Sequence, residues 1–343
     1  MSTLQVNEIT DTGGSTLLGR KNAIINGNFD VWQRGTSQTA DGYGSADRWY
    51  YNRGTSTQSV TQEAFTVGQT DVPNNPKYYS RNVVTTASTA GSLVVYIQNI
   101  EGVETFAGET VTLSFYAKAD ASKNIAVEFS QNFGTGGSPS SEVTAIGVTT
   151  VALTTSWAKY TVTVDVPSIS GKTLGTDAND YLRVLLWLEA GSDFNARTNS
   201  LGNQSGTFDI AQVQLEAGSV ATPFERRSYG EELALCQRYY ERLSCTNTGS
   251  YISVSTGISA TSSLTTIPFA TTKRESPSLL FGGAFSLVGA SGGQVPVTGI
   301  VASSTNKYSL TAQPITASGI VGQDSYMFLG TSSSSFIAFD AEL

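Results

Sequence analysis

Apolar and polar residues alternate at period two along much of this chain. Thr110-Val-Thr-Leu-Ser-Phe-Tyr-Ala-Lys118 shows it most clearly, with Leu113, Phe115 and Ala117 on one side and Ser114, Tyr116 and Lys118 on the other. Leu93–Ile97, Ile125–Phe129, Tyr160–Val166 and Tyr181–Leu188 read the same way, between loops of Gly, Ser and Asn. Their spacing predicts two packed antiparallel sheets over residues 24–228. The apolar parity slips by one between Phe208–Ile210 and Val213–Leu215, which predicts a β-bulge near Ala211–Gln212. The pattern resumes in Ser250–Val254, Leu264–Phe269, Leu279–Phe281, Lys307–Leu310, Tyr326–Leu329 and Ser335–Phe339. Gly282-Gly283 and Ser291-Gly-Gly293 act there as breakers. A second β domain over 246–343 follows, and the fold class is all-β.

One segment breaks the period. Ser228 and Glu231 have the spacing of a capping box. Leu233, Cys236, Tyr240 and Leu243 then recur at intervals of three, four and three, which predicts a connecting helix over 229–245 with a coiled-coil-like seam. Two readings stand: a helix packed around a trimer axis, or one that caps a sheet of its own chain. Residues 1–23 read as an extended N-terminal arm, since Leu4, Val6 and Ile9 alternate with no core of their own to enter. Either the arm pairs with other chains or it is a frayed terminus.

Composition narrows the chemistry. The chain has 343 residues, no histidine, and 28 acidic against 20 basic side chains. Without histidine there is no Ser-His-Asp or Cys-His catalysis and no imidazole zinc ligand. No lysine–arginine cluster argues for a nucleic-acid partner. No apolar run approaches a membrane span, and the first residues lack the form of a secretory signal, so synthesis in a cytoplasm is expected. Cys236 and Cys245 read as buried thiols rather than a disulfide. A glycosidase needs two carboxylates at a defined separation, and among Asp177, Asp180 and Asp193 nothing selects a pair; the expectation is a non-enzyme.

Sugar binding needs aromatic faces. Trp49-Tyr50-Tyr51 and Tyr78-Tyr79 each place neighbours on opposite sides of a strand, so one of each pair is open to solvent. Tyr50, Tyr78 and Tyr79 are therefore candidate glycan contacts, set against ordinary core packing. The polar Gly282–Gln294 and Ser303–Tyr308 segments read as variable loops, with Tyr308 as a further stacking face. The charge-poor 246–343 region suits either sugar contacts or packing between identical chains.

Two longer runs carry a family resemblance. Phe208–Leu243 (Phe-Asp-Ile-Ala-Gln-Val-Gln-Leu-Glu-Ala-Gly-Ser-Val-Ala-Thr-Pro-Phe-Glu-Arg-Arg, then the helix) resembles a junction of bacteriophage tail-fibre proteins. Ile24-Ile-Asn-Gly-Asn-Phe-Asp-Val-Trp-Gln-Arg-Gly35, with Ala46-Asp-Arg-Trp-Tyr-Tyr51, resembles the opening of the carbohydrate-binding-like jelly-roll module in that family. The resemblance implies a jelly-roll β-sandwich, a trimeric fibre in a virion, attachment to other virion proteins through the arm, and multivalent binding of host-surface glycan. It also implies a structural Ca²⁺ between Asn26, Asn28 and Asp30 in the opening and Asp209 and Glu216 at the last strand; the alternative is turn-forming Asn and Asp. The other functional readings are a structural adaptor or head-decorating fibre that binds no glycan, and a depolymerising glycosidase.

Overall fold

The computed structural model describes residues 21–322 and 324–343, so Leu4, Val6, Ile9 and nearly all of the arm lie outside the described residues. The chain divides into two units, one running to Tyr229 and joined by Leu343, the other Gly230–Glu342.

In the first unit the strands are β1 (Ser37–Gln38), β2 (Tyr50–Asn52), β3 (Thr57–Ala64), β4 (Tyr78–Thr85), β5 (Leu93–Glu101), β6 (Thr110–Ala119), β7 (Lys123–Asn132), β8 (Val143–Leu153), β9 (Ala158–Asp165), β10 (Tyr181–Ala190) and β11 (Gly206–Ala217). They form a six-stranded sheet, β1-β3-β4-β11-β6-β9, and a five-stranded sheet, β2-β5-β10-β7-β8. From β4 onward the chain crosses between the sheets at every step except the β7–β8 hairpin, and β11 inserts between β4 and β6. This is a jelly-roll β-sandwich. Leu113, Phe115 and Ala117 of β6 are fully buried in its core with Phe208, Ile210, Val213 and Leu215 of β11. The alternation in Thr110–Lys118 is thus the inside and outside of the six-stranded sheet. The bulge lies where the parity slip put it: pairing with β6 shifts between Ala211 and Gln214, and Gln212 has φ 47°.

The Asn-Gly-Asn-Phe opening is a piece of this architecture. Asn26 and Phe29 hold left-handed φ of 57° and 55°. The Asn26 amide donates to Val31 O (2.8 Å) and Asp47 O (3.1 Å) and accepts from Val31 N (3.0 Å). Phe29 stacks on Trp49 at 5.4 Å, and Trp49, fully buried, lies 4.5 Å from Tyr96.

The second unit opens with a helix of nine residues, Tyr229–Gln237. Its strands are β12 (Tyr240–Ser244), β13 (Ser250–Ser259), β14 (Ser262–Pro268), β15 (Ser278–Gly282), β16 (Phe285–Val288), β17 (Gln294–Thr305), β18 (Ser309–Thr316), β19 (Ser325–Gly330) and β20 (Phe336–Asp340). Six of them close a barrel, β13-β14-β18-β17-β16-β19; β12, β20 and β15 make a small sheet.

Here two expectations are corrected. The helix does not run to 245. It stops at Gln237, because Lys273 Nζ takes the Gln237 carbonyl (2.5 Å) and Arg274 N–H the Arg238 carbonyl (3.0 Å). Tyr240 and Leu243 then lie on β12, opposite Asp340 and Ile337. Leu243 packs against this unit's own core, and Tyr240 and Cys236 are buried. Leu233, Cys236, Tyr240 and Leu243 therefore make no helical seam; their three-four-three spacing spans a helix and a strand. The Gly282–Gln294 and Ser303–Tyr308 segments are not open loops either. β16 occupies the first, paired with β19, and β17 runs through Thr305.

Lys273 and Glu241 form a buried pair, Nζ to Oε2 2.5 Å, with side chains 0% and 3% exposed. Both Glu241 oxygens also accept from Ala270 N at 3.1 Å.

Candidate functional site

The outward side chains of the six-stranded sheet converge on one place. Arg81 of β4 and Lys118 of β6 both stand directly opposite Asp209 of β11, so three adjacent strands put them in one row. Arg81 grips Asp209 through two parallel bonds, Nε–Oδ1 2.8 Å and Nη2–Oδ2 2.9 Å, and Lys118 Nζ lies 3.8 Å from the same carboxylate. The guanidinium also donates to the Tyr79 hydroxyl at 3.1 Å. Hydrogen bonding to Asp209 raises the Arg81 pKa, so this cation is permanent. Burial, then the Asp209 charge, pushes the Tyr79 phenol up, and it stays protonated at neutral pH.

In the next row Tyr79 faces Glu63 on β3, and Ala211 faces Tyr116. Phe65 follows the end of β3 and Trp157 precedes β9. With Tyr79 they form a mutually packed trio, centroids 4.8 Å (Phe65–Tyr79), 5.2 Å (Phe65–Trp157) and 5.2 Å (Tyr79–Trp157). Lys118 Nζ sits 5.3 Å over the Trp157 ring. Phe65 and Trp157 are half-buried and Tyr79 nearly covered. The result is an aromatic platform on a rigid sheet, bordered by two fixed cations and a carboxylate. Such a surface stacks on the apolar face of a sugar ring while its rim bonds hydroxyls.

Beside it, Ala64–Gln69 and Asn75–Tyr78 line a cleft of about 580 Å³ that includes Phe65 and Tyr78. The sugar candidates named from sequence thus separate. Tyr79 is in the platform and Tyr78, half-buried, in the adjoining cleft. Tyr50 lies on the five-stranded sheet, edge-on to Tyr43 at 5.2 Å, packed on a small apolar cluster with Val95, Ile97, Leu185 and Trp187. Tyr308 belongs to the other unit, 69% exposed just before β18. Sequence reasoning missed Phe65, Trp157, Arg81 and Lys118. An aromatic flanking β3 and another flanking β9 were the available signal, but only the strand order brings the two together.

Most of the oxygens expected to hold Ca²⁺ already have protein partners, the buried Asn28 Oδ1 excepted. Asp209 is held by Arg81 and Lys118. Glu216 accepts from Gln214 Nε2 (2.8 Å), Thr222 N (2.9 Å) and Thr222 Oγ1 (2.7 Å). Asn28 Nδ2 donates to Asp30 Oδ2 (2.8 Å), and the Asn26 amide is spent on backbone. Among the described residues no three His, Cys, Asp or Glu side chains gather as a metal-ligating group. Melting in excess chelator should therefore match melting without it; a transition that falls by several degrees would restore the metal. Two of the three acids considered for glycosidase work are also hydrogen-bonded within the fold. Asp177 Oδ2 accepts from Thr135 Oγ1 (2.7 Å) and Asp180 Oδ2 from Val103 N (2.8 Å), while Asp193 lies in a short 3₁₀ turn.

No family model matches the chain, and no curated protein matches it. Solved structures do. A CBM4 structure is 17% identical over 56% of this chain and 98% of its own, with TM-score 0.32. A family 11 carbohydrate-binding module from Clostridium thermocellum, in complex with a β-1,3-1,4-mixed-linked tetrasaccharide, is 12% identical over 55% and 98%, TM-score 0.31. The enzymatically active domain of tailspike protein 4 of bacteriophage CBA120 is 13% identical over 57% of this chain and 21% of its own, TM-score 0.32. At identities and TM-scores this low, function rests on the chemistry of the site itself.

Proposed function

We propose that this chain is a non-catalytic glycan-binding protein, and that it serves as a fibre of a bacteriophage virion, binding host-surface glycan as a homotrimer. The observation that carries the glycan reading is the Phe65–Tyr79–Trp157 trio beside the Arg81–Asp209–Lys118 row. The virion reading rests on the two sequence runs that resemble tail-fibre proteins. The test is glycan-array binding by the full chain and by Trp157→Ala. Loss of an aromatic anchor should weaken binding by about thirtyfold, the equivalent of ~2 kcal/mol, while the melting transition persists. An unbound array would favour the adaptor reading; a Trp157→Ala protein that binds like the parent would move the glycan site away from this platform.

Trimer formation has support of its own. None of the six barrel strands carries an Asp, Glu, Lys or Arg. On that uncharged wall Tyr251, Val254, Ile258 and Met327 are exposed, with Val254 and Met327 paired across β13 and β19. Light scattering at micromolar concentration should return three times 36.2 kDa; the mass of a single chain would end the proposal.

A further inference from the structure

The cleft beside the platform leads to a pocket of different character. Asp30, Lys77, Arg226, Arg227, Ser228 and Tyr229 line about 520 Å³ there, and Lys77 belongs to both the cleft and the pocket. Three cationic side chains and one carboxylate line it, with Glu225 3.8 Å from Arg227 as a second acid nearby, in a chain whose acids outnumber its bases 28 to 20. Local charge of this sign is against the trend of the whole molecule.

The cations are placed, not merely present. Arg227 Nη1 donates to Ile24 O at 3.0 Å and its Nη2 to Asn22 O. Arg226, exposed, donates from Nη1 to Asn74 O at 3.2 Å; Asn74 and Asn75 hold left-handed φ of 64° and 47° in the turn that carries it. Lys77 Nζ lies 4.8 Å over the Tyr78 ring. Hydrogen bonding to Tyr78 is the largest of the influences that raise its pKa. The lining acid, Asp30, already accepts from Asn28.

We infer that the glycan taken by this site is acidic, with a carboxylate- or sulfate-bearing residue in the Lys77–Arg226–Arg227 pocket and its neighbour against Tyr78 and Phe65 in the cleft. Exposed Arg226 has N–H groups beyond the one on Asn74 O to offer either oxyanion, and the Lys77 ammonium adds charge without direction; Arg227, held by backbone and 3.8 Å from Glu225, contributes its field and not a fork. Phe65 belongs both to the cleft and to the platform, so one oligosaccharide can reach from stacking rings to cations. The cations gathered there offset part of the repulsion that a chain of net charge −8 exerts on any polyanion. The inference rests on the platform reading and narrows its ligand.

The experiment compares the full chain against oligogalacturonate, the same oligosaccharide methyl-esterified, and dextran sulfate beside neutral dextran. Esterification removes charge and keeps the sugar. The parent protein should bind the acid about tenfold more tightly than the ester at low salt, and the difference should shrink at 0.5 M salt, as screening predicts (about 3–5 Å Debye length). In Lys77→Glu/Arg226→Glu the preference for acid over ester should collapse toward unity; Arg227 is left alone because it holds backbone. A preference for dextran sulfate over oligogalacturonate would identify sulfate as the recognised group, and the reverse a carboxylate. Equal binding of acid and ester by the parent, or a preference that survives the double substitution, overturns the inference and leaves the platform reading standing. Binding to no saccharide, charged or neutral, overturns both.

Discussion

Replacing Glu241 by alanine is expected to cost the barrel unit about 3–5 kcal/mol, because it leaves the Lys273 ammonium buried without a counter-charge. The side chain of Lys273 is 0% exposed, and its Nζ would retain the Gln237 carbonyl and the face of the Phe269 ring, 5.0 Å away, but no counter-charge. Ala270 N–H would lose both its acceptors. Differential scanning calorimetry of the full chain should show one transition falling by more than about 10 °C, the scale for a unit of this size. Desolvation already lowers the Lys273 pKa in spite of Glu241, so burial outweighs the pull of the partner. Between its folded pKa and the unfolded value of 10.5, the unfolded chain therefore holds a proton that the folded one has released, and this lysine's penalty fades as pH rises through that window. Glu241→Leu with Lys273→Met should recover most of the loss, though not the Ala270 bond. If Glu241→Ala melts like the parent, the pair is not an organiser of this unit.

The second large effect belongs to Gly27. A Cβ at that position would lie 2.0 Å from the Val213 carbonyl oxygen, backbone against backbone, with no side chain free to move aside. Gly27→Ala should cost the sandwich about 3 kcal/mol or more, the upper range for forced overpacking. Gly230 provides the contrast: nothing lies within 4 Å of its Cβ and it is in the helix, where alanine is neutral to stabilising by up to ~1 kcal/mol. Paired melts of the two variants separate crowding from any general intolerance of substitution. A Gly27→Ala protein as stable as Gly230→Ala would mean that the turn and β11 can part without cost.

Legibility in the sequence depends on how local each signal is. Thr110–Lys118 and the slip at Ala211–Gln212 are readable because period two is a property of a few consecutive residues. The helix expected over 229–245 is too long because Tyr240 and Leu243 fall at helical intervals from Cys236 by coincidence; what ends the helix is Lys273 and Arg274, far along the chain. β16 and the two ends of β17 read as loops because a barrel closed by uncharged strands rich in Ser, Thr and Gly lacks strong alternation. Tyr79 is recognisable from its tandem partner. Phe65 and Trp157 are not, because a platform assembled across β3, β4, β11, β6 and β9 exists only once the sheet order is known. In Asn26, Asn28 and Asp30 the turn-forming alternative is the one the hydrogen bonds favour over a metal cradle.

The opening residues are stitched beside the last strand of the sandwich, and this has a mechanical meaning. Ala23 N–H donates to Leu215 O and Val213 N–H to Gly27 O, each at 2.9 Å, so the two segments run antiparallel. Beyond Ala23, the Lys21 and Asn22 N–H groups reach Glu225 at 3.0 and 2.8 Å. Chain entry and chain exit therefore leave the sandwich from the same end. Tension between residue 21 and residue 229 would peel this stitch open one bond at a time, starting at Glu225, instead of shearing all its bonds at once. Until the last of them parts, the pulling force bypasses the sheets, and the face that carries Phe65, Tyr79 and Trp157 keeps its shape under load.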